Sequence, residues 1–171
     1  MGKQSTRENK TIYQLCREAA GLTRDQAAEK MKTLSVSRIE KIEYELSVPD
    51  PYDVVEMAAC YKRPDLCNYY CSHCCQIGVS HVPEVEISEL PTIILKTIAA
   101  LNEINPQITR LIQITQDGKI SDDEIKDFAL ITHRLNQVSM AVDALNLWVE
   151  KTAADNDLNI ELLNEETKKL L

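Results

Sequence analysis

The sequence predicts an all-α protein, on three observations. Leu, Ile, Glu, Lys and Ala dominate while Gly (4) and Pro (6) are scarce, a composition that favours helices. Apolar residues recur at helical spacing along most of the chain, and no stretch shows the strict alternation of a strand. Residues suited to capping stand just before several of the periodic stretches. At 171 residues and 44% apolar, the chain has material for one core or two small ones.

The first helix is expected over residues 11–20, with Ile12, Leu15, Cys16 and Ala19 at helical spacing and Gly21 as its stop. Thr23 and Gln26 form a T-x-x-Q capping box that opens a second helix running to about Met31. Ser35 caps a third, which turns Ile39 and Ile42 inward. Asp50 followed by Pro51 reads as an N-cap and a first-turn proline, opening a fourth helix with Val54, Val55, Met57 and Ala58. Pro64 starts a fifth, bearing Cys67, Tyr70, Cys71 and Cys74.

Residues 76–90 read as a linker. A long amphipathic stretch follows from Pro91, with Ile94, Ile98, Leu101, Ile104, Ile108, Leu111 and Thr115 as its stripe. Pro106 should break it near Asn105. Asp117-Gly118 marks a turn, and Ser121 with Glu124 forms another capping box. The helix after it carries Ile125, Phe128, Leu135, Val138, Val142, Leu145 and Val149 on one side. A short connection between two such segments predicts an antiparallel αα-hairpin. A last short helix is expected within 158–170.

Helices two and three lie three or four residues apart, the spacing of a helix-turn-helix, in which the second helix of the pair enters the major groove. Ala27 and Ala28 are small enough for close helix packing. Ser37, Arg38 and Lys41 fall opposite Ile39 and Ile42, where hydroxyl and cationic groups can meet base edges or phosphates. Arg24, in the first turn of helix two, is placed to hold a phosphate, as are the amides of that helix terminus.

The runs REAAGLTRDQAAEKM, LSVSRIEKIE and VPDPYDVVEMAACY resemble the lambda-repressor/Cro-type (Xre-type) helix-turn-helix family over about residues 10–65. The family pattern is R-E-x-x-G-L-T-x-x-x-x-A, then S-x-x-x-I-x-x-I-E, then a proline-led fourth helix. The resemblance implies a five-helix lambda-repressor-like DNA-binding domain, used as a dimer on a two-fold site, here followed by the C-terminal hairpin. Position by position it implies that Val36, Ser37, Arg38 and Lys41 face the groove, while Ser35 and Arg24 serve the DNA backbone. Glu43 matches the family's structural Glu. The turn between Met31 and Ser35 is one residue longer than the family's and lacks its Gly, and Arg24 stands where Gln is common.

The net charge of −8 argues at first against a polyanionic partner, but the charges are unevenly spread. Residues 1–44 hold nine Lys/Arg and six Asp/Glu, a balance of +3, whereas residues 64–171 hold eight and seventeen, a balance of −9. Phosphate binding needs a local basic face rather than a basic chain.

Cys67, Cys71, Cys74 and Cys75 crowd together with His73 beside them. Three readings stand: buried small hydrophobes, zinc ligands completed by His81 or Cys60, or a thiol switch. Residues 113–124 resemble the second half of an EF-hand, but Gln113 and Thr115 occupy ligand positions that need acids. A turn plus a cap accounts for the same residues. His73, His81 and His133 sit in no catalytic signature, and no phosphate-binding glycine loop occurs. These readings point away from an enzyme, and they name no cofactor.

The N-terminus MGKQSTRENK has no apolar h-region, and no apolar run approaches the roughly 18 residues of a membrane span. A cytoplasmic protein with reduced thiols is expected. The expected organisation is a DNA-binding domain at 1–75, a linker at 76–90 and a helical region at 91–171 for dimerisation or partner binding. Its partners would be double-stranded DNA and a second copy of the chain. The rival reading is a protein-interaction adaptor that uses the acidic C-terminal helices.

Overall fold

The computed structural model describes residues 9–170, and within them the chain is all-helical with no strand. The polar N-terminal segment read above for a leader lies almost wholly outside the described residues. The helices are α1 (Ile12–Ala19), α2 (Arg24–Lys30), α3 (Val36–Glu43), α4 (Pro51–Tyr61), α5 (Asp65–His73), α6 (Gly78–His81), α7 (Leu90–Ile104), α8 (Ile108–Ile114), α9 (Ile125–Ala154) and α10 (Ile160–Lys168). A 3₁₀ turn, Asn105–Gln107, separates α7 from α8. It holds Pro106, whose missing N–H breaks the α ladder where the sequence predicts. Among the described residues, no helix is long and apolar enough to cross a membrane.

The chain divides into two compact units: unit 1 is the chain up to Glu84 together with residues from Val149 on, and unit 2 is Val85–Trp148. The end of α9 and α10 therefore group with the N-terminal helices.

In unit 1 the predicted caps are present. Thr23 and Gln26 close a reciprocal capping box on α2, and Ser35 accepts from the Arg38 amide at the start of α3. Asp50 caps α4 with Pro51 in its first turn, and Asp53 returns the bond to the Asp50 amide. After α1, Gly21 adopts φ +70, and the Leu22 amide reaches back to the Arg17 carbonyl. This left-handed closure is one a Cβ would strain. The core joins Tyr13, Cys16, Ala27, Met31, Leu34, Ile39, Ile42, Val54, Met57, Ala58, Tyr61 and Leu66. Two expectations are corrected: Leu15 and Ala19 are exposed on α1, and Val55 is exposed on α4. The buried face of α1 is Tyr13, Gln14, Cys16 and Arg17 instead.

The expected linker contains α6. A Cβ on Gly78 would lie 2.1 Å from the Cys71 carbonyl oxygen. Only a glycine lets α6 approach the backbone of α5 this closely.

Unit 2 buries Ile104, Ile114 and Ile131, with Leu111, Ile120, Phe128 and Val138 packed against them. The predicted stripe on α7 holds at Ile104 and is otherwise out of phase. Ile93 and Ala100 turn inward with Ile104, whereas Ile94, Ile98 and Leu101, and Ile108 at the start of α8, are exposed. On α9, Ile125, Leu135 and Val142 are likewise exposed, and Ile131 and Ala141 take the buried positions. The capping box predicted at Ser121 and Glu124 is present in one half, the bond from the Ser121 amide to the Glu124 side chain. The Ser121 hydroxyl donates to the same carboxylate, and the helix begins at Ile125.

Candidate nucleic-acid interface

The α2–turn–α3 segment is held from below by charged groups rather than by apolar packing alone. Glu43, in the last turn of α3, is fully buried. Its carboxylate accepts from Arg17 of α1 through Nε at 2.5 Å and through a terminal nitrogen at 2.9 Å. It also accepts from Nε of Arg24 at 2.8 Å. Arg17 donates further to the Leu22 carbonyl at 2.6 Å. One carboxylate thus ties α1, α2 and α3 together. The geometry is the parallel two-bond fork that guanidinium and carboxylate form best.

The turn has its own anchor. The amides of Lys32 and Thr33 both donate to the Glu56 carboxylate of α4, at 3.0 and 3.1 Å. Met31 and Leu34 on either side are buried. The turn that lacks glycine is thereby fixed by two apolar plugs and one acceptor.

The six expected contact residues divide into two groups. Ser35, Val36, Ser37 and Lys41 are exposed on the outer side of α3. The two arginines are turned inward. Arg24 binds Glu43, reaches Glu40 at 3.3 Å and stacks over the Tyr44 ring at 4.7 Å. Arg38 lies against the start of α4 instead of open to solvent. Its Nε donates to Asp53 at 3.0 Å, its terminal nitrogens donate to Asp53 and Ser47, and one reaches the Val48 carbonyl at 3.1 Å. All three guanidinium nitrogens of Arg38 are engaged. Lys41 is exposed, and Glu40 beside it is partly neutralised by Arg24.

Sequence reasoning missed Arg17, Glu56 and Asp53. A signal for the first was present. Arg17 stands four residues after Tyr13, and Glu43 four after Ile39, so each charge falls on its helix's buried face. Two opposite charges in that register announce an internal pair.

Beside this segment the chain bends through Glu45–Pro49, where Leu46 and Val48 are exposed, and Tyr52 in the first turn of α4 is 82% exposed. At the far end of α4, the α5 cysteines are half-buried and all six cysteines are free thiols. Burial pushes the Cys67 thiol up from its ordinary value, with Glu150 adding to the shift. Tyr69 stacks on His73 at 4.3 Å between ring centres and meets Tyr13 edge-on at 6.2 Å. No group of three or more His, Cys, Asp or Glu side chains among the described residues is arranged to hold a metal ion.

Comparison with protein-family models, with curated proteins and with solved structures returns no significant match.

Proposed function

We propose that the chain binds double-stranded DNA in a sequence-specific manner through α3, and acts as a transcriptional regulator. The observation that carries this reading is the two-sidedness of α3. Ile39, Ile42 and Glu43 are sealed inside, while Ser35, Val36, Ser37 and Lys41 project outward from a helix capped at its N-terminus. A rigidly seated helix with short polar groups and one cation on its free face suits a major groove. The helix order and the internal Glu43 agree with the lambda-repressor-like pattern that the sequence resembles.

The regulator reading includes a homodimer built on the C-terminal helices. Arg134 pairs with Glu103, and Arg110 with Asp127 at 2.7 Å. The two pairs run in opposite order along the two segments, as in an antiparallel hairpin. Unit 2 leaves Ile94, Leu95, Ile98 and Leu101 exposed on α7, an apolar surface of the kind a second copy covers. The same exposure favours one rival: a protein adaptor that uses these helices and needs no DNA.

Fluorescence anisotropy on labelled duplexes tests the choice, using a random pool that also includes the DNA upstream of the chain's own gene. Binding should weaken steeply with salt, and Lys41→Ala should lower the log–log salt slope by about 0.9, the loss of one phosphate contact. Failure of the folded wild type to bind any duplex at low salt would refute the DNA reading and leave the adaptor.

A further inference from the structure

The chemistry left free on α3 is unusual for a DNA reader. The commonest specific contact is an arginine fork on guanine. Neither arginine near α3 can offer one without giving up its bonds inside the module. Freeing Arg38 would strip Asp53, a buried carboxylate that also accepts from the Asp50 amide in the α4 cap. Freeing Arg24 would leave Glu43 with one guanidinium in place of two and would unpair Glu40 on the outer face.

Besides Glu40, which Arg24 pairs, what remains outward is a hydroxyl on Ser37, an ammonium on Lys41 and the two methyl groups of Val36. Val36 is the first residue of α3, follows the Ser35 cap, and is 37% exposed. A β-branched residue there gains little from helix propensity. Its side chain is outside the core that Ile39 and Ile42 join. In the major groove, thymine alone among the four bases presents a methyl group.

We propose that α3 reads thymine through the methyl groups of Val36, and that Arg38 positions α3 against α4 without reading a base. This rests on the DNA reading above and names the base class that the same face recognises. Burial of one methyl against Val36 corresponds to about a fourfold preference for thymine over a base that lacks it. Ser37 and Lys41, one turn apart on the same side, bond the neighbouring base edge and phosphate.

The test is selection of duplexes from a random pool by the full chain, followed by replacement of each thymine in the selected site with deoxyuridine, which lacks only the methyl. At least one replacement should weaken binding about fourfold. Val36→Ala should bind the two duplexes equally. Val36→Thr, which keeps the shape but exchanges one methyl for a hydroxyl, should shrink the difference. Arg38→Ala should weaken all duplexes by a common factor and select the same site. Equal binding of thymine and deoxyuridine sites by wild type overturns the inference while the DNA reading survives. So does a guanine preference that disappears in Arg38→Ala. Absence of any selected duplex overturns both.

Discussion

Replacing Glu43 by Gln keeps the side chain's size and removes its charge. The consequence follows from the three bonds it accepts. Arg17, whose side chain is only 8% exposed, would keep its charge inside the protein without a counter-ion. The amide nitrogen of Gln would also face a guanidinium that can only donate. Charge-assisted hydrogen bonds contribute about 1.5–3 kcal/mol each, but bonds sharing one carboxylate do not add. The applicable figure is the cost of removing one partner from a buried pair, about 3–5 kcal/mol. Arg24→Ala should cost far less, about 1 kcal/mol, because that side chain is partly solvated and Arg17 still holds Glu43. Urea unfolding followed by tyrosine emission is the natural assay. All six tyrosines, at 13, 44, 52, 61, 69 and 70, lie in unit 1, and the single tryptophan, Trp148, lies in unit 2. Glu43→Gln should move the tyrosine midpoint down by about 2 M urea. If that variant fails to fold, Arg17→Met with Glu43→Leu, an apolar replacement of the pair, should recover most of the loss. A cost below about 1 kcal/mol for Glu43→Gln, or a double variant as unstable as the sum of its singles, would refute the view that charge pairing seats α3.

Two other outcomes can be checked on the same unit. Gly78→Ala should force α6 off α5 and cost about 1–3 kcal/mol, the usual range for overpacking; faster hydrogen exchange at the amides of Val79 and Val82, which bond to Cys75 and Gly78, would report it, and unchanged exchange would count against it. Burial pushes the Cys16 thiol from 9.0 up to about 11. The folded state therefore holds the proton more tightly than the unfolded chain. This stability is fully present below pH about 9 and is lost as pH rises towards about 11, by up to about 3 kcal/mol. Tyr13 and Tyr61, also raised by burial, act in the same direction, and Cys16→Ala should flatten the alkaline fall in the urea midpoint.

Local chemistry was the most legible part of this sequence. Thr23 with Gln26, Ser35, Asp50 before Pro51, and Pro106 each act through bonds to their near neighbours, so spacing alone locates them. The phase of α7 was not legible. Ile93, Ile94, Leu95, Ile98, Leu101 and Ile104 supply apolar groups on several faces, and any of several stripes can be drawn through them. The packing that chose Ile93, Ala100 and Ile104 lies in tertiary contacts. The direction of Arg38 was equally hidden. Its spacing places it outward on α3, but its length lets it curl onto Asp53, fifteen positions away in sequence. Long, flexible cations are the residues whose destination periodicity predicts least.

Glu56 holds the turn and Asp53 holds Arg38, so both supports stand on α4 and neither draws on the outer side of α3. The labour is thus divided between hidden and displayed positions. Val36, Ser37 and Lys41 can be exchanged for other residues at little cost to folding, because nothing beneath depends on them. If α3 reads DNA as proposed, a lineage built on this scaffold could drift to new target sequences by altering those positions alone, while Arg17, Glu43, Asp53 and Glu56 stay constant as its chassis.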